Sequence, residues 1–240
     1  MNERDSEIMA GLLVRQGYVP AAAPDEAQVM LVNTCHVREH AEQRAASFLG
    51  RLRVWREARP DRVLAFTGCV AEAQGKRILE RFPFVDIVLG PAQVMRLPEL
   101  VERARDGFGP LVATGTADAR SVPELTEEHP AGFRAWIKIM EGCDHQCTFC
   151  VVPAVRGKER NREFGEIVAE AESLAAKGVR EVTLLGQTVN AYGKQAGPER
   201  NFAALLRRLD GVPGLARLRF TSPHPVHHTE DVLTAMAECG

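Results

Sequence analysis

Three cysteines in one short stretch of the chain have the spacing of a metal or cluster site. Cys143, Cys147 and Cys150 follow directly on an apolar run that ends at Met140. Three thiolates can hold an iron–sulfur cluster through three of its irons, which leaves one iron open to bind and activate a small molecule. The C-x3-C-x2-C spacing differs from that of the common ferredoxins and from the C-x2-C pairs of zinc sites. The spacing therefore predicts an iron–sulfur cluster with one open iron.

Zinc is the alternative for the same three thiols. A zinc site needs a fourth ligand, which would be either His145 or a distant residue. His145 lies between two of the cysteines, so simultaneous tetrahedral ligation by all four side chains would be cramped. A disulfide is less favoured, because the composition points to a reducing compartment.

The composition is that of an ordinary soluble globular protein. The chain has 240 residues, 45% of them hydrophobic and 26% charged, so it can bury a core in one large or two ordinary domains. Its N-terminus is too polar for a secretory signal, and no apolar run could span a bilayer. We therefore expect a cytoplasmic protein without a membrane segment, in which thiols stay reduced.

The net charge shows that the chain as a whole is not basic. The net charge is −2, so the chain lacks the overall positive field of a dedicated nucleic-acid binder. Two local basic stretches remain, at residues 51–59 and 156–162. The first is predicted to be helical and to form a solvated face, whereas the second follows the cysteines and is better placed to meet a charged ligand.

Strands alternate with helices in the first half of the chain. Short apolar runs predict strands, and polar amphipathic stretches predict helices between them; the strands cover residues 29–35, 63–69 and 85–90, and the helices residues 5–17, 38–58, 71–82 and 92–106. This alternation predicts parallel βαβ units in an α/β fold. Cys35 and Cys69 each end a strand and are thus expected on one rim of the sheet. Either could instead be a small buried hydrophobic residue.

The second half repeats this alternation after a Gly-, Pro- and Glu-containing linker. Strands are predicted at residues 136–140, 181–187 and 216–222, with helices at 165–178 and 202–209. Gly186 and Gln187 follow the second of these strands, where a small residue lets the backbone approach a ligand closely. Three β/α units cannot close a barrel, so we expect the chain to be a fragment of a longer protein.

The residues around the cysteines resemble a known family. The motif from Glu141 to Pro153, with Arg156, Gly157, Glu159 and Arg162 after it, is similar to the methylthiotransferases of the radical S-adenosylmethionine enzymes. Further similar stretches lie at residues 31–39, 67–71, 85–91, 185–190 and 219–225. The resemblance thus covers essentially the whole chain, and its details are most like the branch that makes 2-methylthio-N6-dimethylallyladenosine in tRNA.

The resemblance implies a fold and a domain order. Residues 1–108 would form a doubly wound parallel-sheet domain that lacks its first strand, 109–132 a linker, and 133–240 the first units of a radical-SAM partial (β/α) barrel. The family also has a third cluster cysteine on the loop after that first strand, shortly before a sequence like Asn2–Ser6. The present chain begins at Met1 and therefore offers only Cys35 and Cys69 to a second cluster.

The resemblance also implies chemistry. Cys143, Cys147 and Cys150 would hold a [4Fe-4S] cluster that binds S-adenosylmethionine, with Gly186, Gln187 and Arg156 as further cofactor-binding candidates. Cys35 and Cys69 would contribute to a second [4Fe-4S] cluster in the complete architecture.

The substrate would be a tRNA adenosine beside the anticodon, the electron donor a flavodoxin or ferredoxin, and the protein a monomer. No catalytic side chain is assigned from the sequence. Two alternatives remain: a methylthiotransferase that acts on a ribosomal-protein aspartate, and a non-catalytic iron–sulfur or zinc module.

Overall fold

The chain folds into two compact units. The computed structural model describes residues 1–36, 39–115 and 132–239. The N-terminal unit contains the described residues from Asn2 to Gly115 together with Gln146–Arg156, and the C-terminal unit contains those from Gly132 to His145 and from Gly157 to Cys239. The cysteine loop therefore contributes residues to both units. No helix in these described ranges is long and apolar enough to cross a membrane.

The N-terminal unit is a parallel sheet with helices on both faces. Its elements are α1 (Asn2–Arg15), β1 (Val29–Thr34), α2 (Glu39–Glu57), β2 (Val63–Gly68), α3 (Cys69–Gln74), α4 (Arg77–Arg81), β3 (Ile87–Leu89), α5 (Leu97–Arg105), β4 (Leu111–Ala113) and α6 (Val152–Arg156). The strand order is β1-β2-β3-β4, and all neighbours are parallel.

Alternation along β2 explains why both faces of this sheet are covered. Leu64 and Phe66 pack into one apolar cluster with residues of α2, α3 and α4. Val63 and Ala65 point to the other face, into a cluster with residues of α1 and α5. Successive side chains of a strand face opposite sides, so a strand that is apolar throughout requires helices on both. This confirms the predicted doubly wound α/β class.

The element boundaries differ from the predicted ones at two places in this unit. The helix predicted over residues 71–82 is divided into α3 and α4, because Gly75 ends α3 with a φ of +51°. β4 lies where the sequence predicted the start of the linker, and it pairs with β3. Three residues among Gly and Pro give too short an apolar run to indicate a strand. The rest of the predicted linker, residues 116–131, lies outside the described residues.

The C-terminal unit is built from β/α repeats. Its elements are β5 (Arg134–Lys138), β6 (Met140–Glu141), β7 (Arg160–Asn161), α7 (Phe164–Ala176), β8 (Glu181–Leu185), α8 (Phe202–Asp210), β9 (Arg217–Phe220) and α9 (Glu230–Glu238). β5, β8 and β9 form a parallel sheet in that order, and β6 pairs antiparallel with β7. Ile137 and Leu184 are fully buried and pack with residues of α7 and α8 in one core. The parallel units confirm the predicted β/α alternation.

Candidate functional site

The cysteine loop of the C-terminal unit starts with a residue that must be glycine. Gly142 has a φ of +81°, and a Cβ at this position would lie 2.0 Å from the backbone oxygen of Lys158. Its N–H donates a hydrogen bond of 2.6 Å to Oε1 of Gln187. The loop after β6 is thus held against the loop after β8, at the carboxyl ends of the parallel strands. Ligands of α/β proteins bind at that end.

Cys143 is held by contacts to its own loop, to Gly157 and to the loop after β8. Its side chain is buried, and its Sγ lies 3.0 Å from Oγ1 of Thr188. Its backbone N–H donates to the oxygen of Gly157 at 3.1 Å, and the N–H of His145 donates to its Sγ at 3.4 Å. These contacts fix the position of the sulfur.

Gly186 and Gln187, which directly follow β8, contact the residues just before Cys143. A Cβ on Gly186 would lie 2.5 Å from Cγ of Met140, so the close approach of these two loops requires glycine. The Gln187 side chain is used in the bond to Gly142. Its predicted contact with S-adenosylmethionine would therefore come from the backbone or from the remaining amide group.

Three histidines come together at the same end of the sheet, which the sequence did not reveal. The rings of His145 and His224 are stacked with centroids 4.1 Å apart, and Nε2 of His145 lies 3.0 Å from Nε2 of His227. Burial, followed by the charge of His145 and Lys194, holds the pKa of His227 below its usual value. A hydrogen bond between two imidazole nitrogens needs one nitrogen that carries a proton and one that does not. His145 and His227 are 82 residues apart, so no local pattern could have paired them.

The N-terminal unit places Cys69 at the first turn of α3. Gly68 ends β2 with a φ of +93°, and a Cβ there would lie 2.3 Å from the oxygen of Thr34. Thr34 is the register partner of Gly68, so Cys35 and Cys69 follow directly on a pair of neighbouring strand residues. Cys69 is buried and Cys35 half-buried. The predicted placement of both on one rim of the sheet agrees with this register.

Arg156 contacts Cys69 within this unit. Nε of Arg156 donates to Sγ of Cys69 at 3.3 Å, and Nη2 pairs with Oδ2 of Asp5 at 2.6 Å. All three side chains are buried. Burial raises the pKa of the Cys69 thiol, and the neighbouring guanidinium opposes that rise. Arg156 was a cofactor-binding candidate from the sequence, and in the structure its guanidinium pairs with the Asp5 carboxylate.

Cys147 and Cys150 belong to the part of the loop that is packed with the N-terminal unit. Cys147 is exposed and Cys150 half-buried, and the N–H of Cys150 donates to the oxygen of Cys147 in a turn. The segment continues into α6, which packs against α3. Phe149 between them is 91% exposed.

The donor set fits an iron–sulfur cluster by its chemistry. All cysteines of the chain are free thiols, and three of them share one irregular loop. Within the described ranges, no group of three or more Cys, His, Asp or Glu side chains is already arranged to hold a metal ion.

Comparison with known proteins identifies the class of both halves of the chain. Residues 137–240 match the model of the Radical SAM superfamily. Residues 1–90 match the model described as uncharacterized protein family UPF0004. These matches agree with the resemblance to the radical SAM methylthiotransferases, and the curated relatives below carry a name from that family.

The curated relatives carry one name. The chain is 45% identical over 238 residues to the tRNA-2-methylthio-N(6)-dimethylallyladenosine synthase of Parafrankia sp. (strain EAN1pec), which covers 99% of this chain and 48% of the relative. The proteins of the same name from Streptomyces coelicolor and Clostridium novyi are 44% and 41% identical, over 99% and 100% of this chain and 48% and 53% of their own lengths. The chain thus spans about half the length of the curated relatives it matches.

Solved structures show the same fold at low sequence identity. A radical S-adenosylmethionine methyltransferase, TsrM, from Kitasatospora setae with tryptophan substrate and a SAM analog matches with a TM-score of 0.58 and 15% identity. The match covers all of this chain and 63% of that one. A second structure of TsrM, with cobalamin and a [4Fe-4S] cluster bound, gives a TM-score of 0.53. These likenesses confirm the predicted fold class.

Proposed function

We propose that the protein containing this chain methylthiolates C2 of N6-isopentenyladenosine next to the anticodon of tRNA. The observation that carries the proposal is the identity of 45% over 99% of the chain to a protein named tRNA-2-methylthio-N(6)-dimethylallyladenosine synthase. The three-cysteine loop at the carboxyl end of a parallel sheet supports it, because radical chemistry needs a cluster with an open iron beside a ligand site.

Cys143, Cys147 and Cys150 are the proposed ligands of the radical [4Fe-4S] cluster. A cluster held by these thiols would supply the electron for reductive cleavage of S-adenosylmethionine, the chemistry that hydrogen abstraction from adenine C2 requires. The chain's own contribution is to fix one ligand in advance. Gly142 is bonded to Gln187, and the Cys143 thiol touches Thr188, so this thiol is positioned while Cys147 stays exposed.

Gly186 and Gln187 are the proposed contacts of S-adenosylmethionine. Gly186 lets the backbone lie close to β6, since any side chain there would collide with Met140. Small residues at the carboxyl end of a strand leave space in which a ligand can meet the backbone. The proposed electron donor is a flavodoxin or ferredoxin, and the protein is proposed to be cytoplasmic and monomeric.

Cys35 and Cys69 are the proposed thiols of a second cluster that presents the sulfur. The register of β1 and β2 supports this proposal, because the paired residues Thr34 and Gly68 directly precede the two cysteines at one edge of the sheet. Arg156 contributes by donating a hydrogen bond to the Cys69 sulfur. The Asp5 carboxylate holds this guanidinium in place, so Arg156 acts here as a positioning residue rather than as a direct ligand of the cofactor.

Methylthiolation of tRNA tests the proposed function directly. The reconstituted protein is incubated anaerobically with S-adenosylmethionine, a reductant and isopentenylated tRNA, and the digested nucleosides are analysed by mass spectrometry. We expect 2-methylthio-N6-isopentenyladenosine, and we expect Cys143→Ala to abolish it. Cys239→Ala is the matched control, because this thiol lies after α9 and outside the proposed cluster. Modification of a ribosomal-protein aspartate in place of tRNA would refute the proposal.

Iron and sulfide analysis tests the cluster assignment without activity. Anaerobic reconstitution is expected to give about four irons per chain for one cluster or about eight for two. Cys143→Ala should remove about four of them, and any iron held by Cys35 and Cys69 should remain. Zinc without iron would refute the assignment of Cys143, Cys147 and Cys150.

A further inference from the structure

The outer side of α2 presents two arginines and a phenylalanine to solvent. Its inner side is buried through Leu49, Leu52 and Trp55. The outer side lines a shallow depression of about 480 Å³; we call this the basic face of α2, and its residues are Gln43, Arg44, Ser47, Phe48 and Arg51. All five side chains are exposed, and none of them is acidic.

The two arginines of this face lack the carboxylates that neutralise the others on the helix. Arg53 pairs with Glu57, and Arg56 pairs with Asp86 at 2.6 Å. No carboxylate of a described residue lies within ion-pair distance of Arg44 or Arg51. The sequence had grouped residues 51–59 as one solvated basic stretch, but the structure divides them. Paired arginines contribute little net field, whereas unpaired ones can meet an anion.

The phenylalanine between the two arginines is exposed to solvent. Phe48 is 41% accessible, and the guanidinium carbon of Arg51 lies 5.5 Å from the centre of its ring. A cation next to an open aromatic ring is the arrangement that stacks nucleic-acid bases while it contacts phosphates. One exposed ring offers little apolar area to a protein partner.

The face begins near the proposed sulfur-donor thiols. α2 starts at Glu39, shortly after Cys35 at the end of β1. At 1.5 Å per residue, Arg44 lies about 8 Å and Arg51 about 18 Å along the helix from its first residue. The Cα atoms of the two arginines are thus about 10 Å apart along the axis and on the same side of the helix. The arginines can reach different phosphates of one strand.

We propose that the basic face of α2 is a contact surface for the substrate RNA, with Arg44 and Arg51 on phosphates and Phe48 against a base. This inference rests on the proposed tRNA substrate and deepens it. With an overall charge of −2, these 240 residues have no general positive field to attract RNA, so an RNA contact made by them has to come from a local basic surface.

The test is RNA binding as a function of salt. A fluorescently labelled tRNA anticodon stem-loop is titrated with the anaerobically reconstituted protein, and the affinity is measured by anisotropy over a salt series. In Arg44→Gln/Arg51→Gln, two phosphate contacts are lost. The slope of log K against log salt should then fall by about 1.4 for a single strand or 1.8 for a duplex. Phe48→Ala should weaken binding about five-fold or more and leave the slope unchanged.

A matched double variant separates a local contact from a general charge effect. Arg53→Gln/Arg59→Gln removes the same charge from two exposed arginines that pair with Glu57 and Asp61. We expect its slope to equal that of the wild type. Emission of Trp55, which is buried on the same helix, shows whether each variant is folded.

The outcomes distinguish failure of this inference from failure of the proposed function. Equal losses in both double variants, or an unchanged slope in Arg44→Gln/Arg51→Gln while tRNA is bound and modified, would overturn the assignment of this face alone. A wild-type chain that neither binds the stem-loop nor modifies tRNA would refute the proposed function with it. If a ribosomal protein binds through Arg44 and Arg51 and RNA does not bind, the basic face of α2 is a protein-binding surface, and the inference is overturned.

Discussion

A buried ion pair next to the cysteine loop gives the sharpest stability prediction. Nη1 of Arg162 lies 2.6 Å from Oε2 of Glu170, and both side chains are fully buried. The same Nη1 donates to the oxygen of Lys138 at 3.0 Å, and the Tyr192 hydroxyl donates to the oxygen of Arg162 at 2.9 Å. This network joins β5, β7 and α7 in the C-terminal unit.

Glu170→Gln removes the anion and leaves the guanidinium buried. At an effective dielectric constant of about 20, unit charges about 4 Å apart attract each other by about 4 kcal/mol. Truncating one partner of a buried pair destabilises proteins by about 3–5 kcal/mol. The glutamine amide oxygen can still accept one hydrogen bond, so we expect a loss near the lower limit, about 3 kcal/mol.

Tryptophan fluorescence can follow the C-terminal unit alone. The chain has two tryptophans; Trp55 lies in α2 and Trp136 in β5. In a Trp55→Phe background, urea unfolding monitored at Trp136 reports on the sheet that contains the network. A loss of about 3 kcal/mol should lower the urea midpoint by about 1–2 M.

Two further variants decide whether the charge pairing is the cause. Glu172 lies on the same helix as Glu170 and forms an exposed pair with Arg208 of α8. Glu172→Gln breaks this pair and should cost less than about 1 kcal/mol. A loss in Glu170→Gln no larger than in this control would refute the reasoning. Arg162→Met/Glu170→Leu removes both charges and should recover much of the lost stability. If this double variant is no more stable than Glu170→Gln, an unpaired buried charge is not the reason for the loss.

Three other perturbations follow from single contacts. Gly142→Ala should destabilise the C-terminal unit by more than about 1 kcal/mol in urea unfolding, because the left-handed backbone there disfavours a side chain and a Cβ would collide. Burial raises the pKa of the Tyr192 hydroxyl, so with rising pH the unfolded chain loses this phenolic proton before the folded chain does. The free energy of unfolding should therefore fall above about pH 10, and it should fall less in Tyr192→Phe. Asp5→Asn should lower the stability of the N-terminal unit, followed at Trp55, by about 3 kcal/mol, because the buried Arg156 loses its carboxylate.

Each of these perturbations has a control in the chain. Gly165→Ala, in α7 and with open space around its Cβ position, should be neutral or stabilising by up to about 1 kcal/mol. Asp61→Asn breaks only an exposed pair with Arg59 and should cost less than about 1 kcal/mol. An alkaline stability curve that is identical in the wild type and Tyr192→Phe would contradict the assigned burial of that hydroxyl.

The sequence by itself determined which segments are strands and which cysteines follow them. Residues 63–66 are apolar without interruption, and such a run is typical of a strand covered on both faces. The strand–helix alternation then required parallel pairing. The placement of Cys35 and Cys69 on one edge followed from that topology, since parallel strands end on the same side. The grouping of Cys143, Cys147 and Cys150 needed no structure, because all three share one loop.

Only the tertiary structure decided which distant side chains meet. The Arg156 and Asp5 side chains pair although 151 residues separate them. The ring of His145 meets those of His224 and His227, which lie on another loop. Local periodicity records whether a residue is buried, but a pairing depends on the packing of several elements at once. The two-residue strands β6 and β7 escaped prediction for a related reason: they exist through their long-range hydrogen bonds rather than through any pattern of their own.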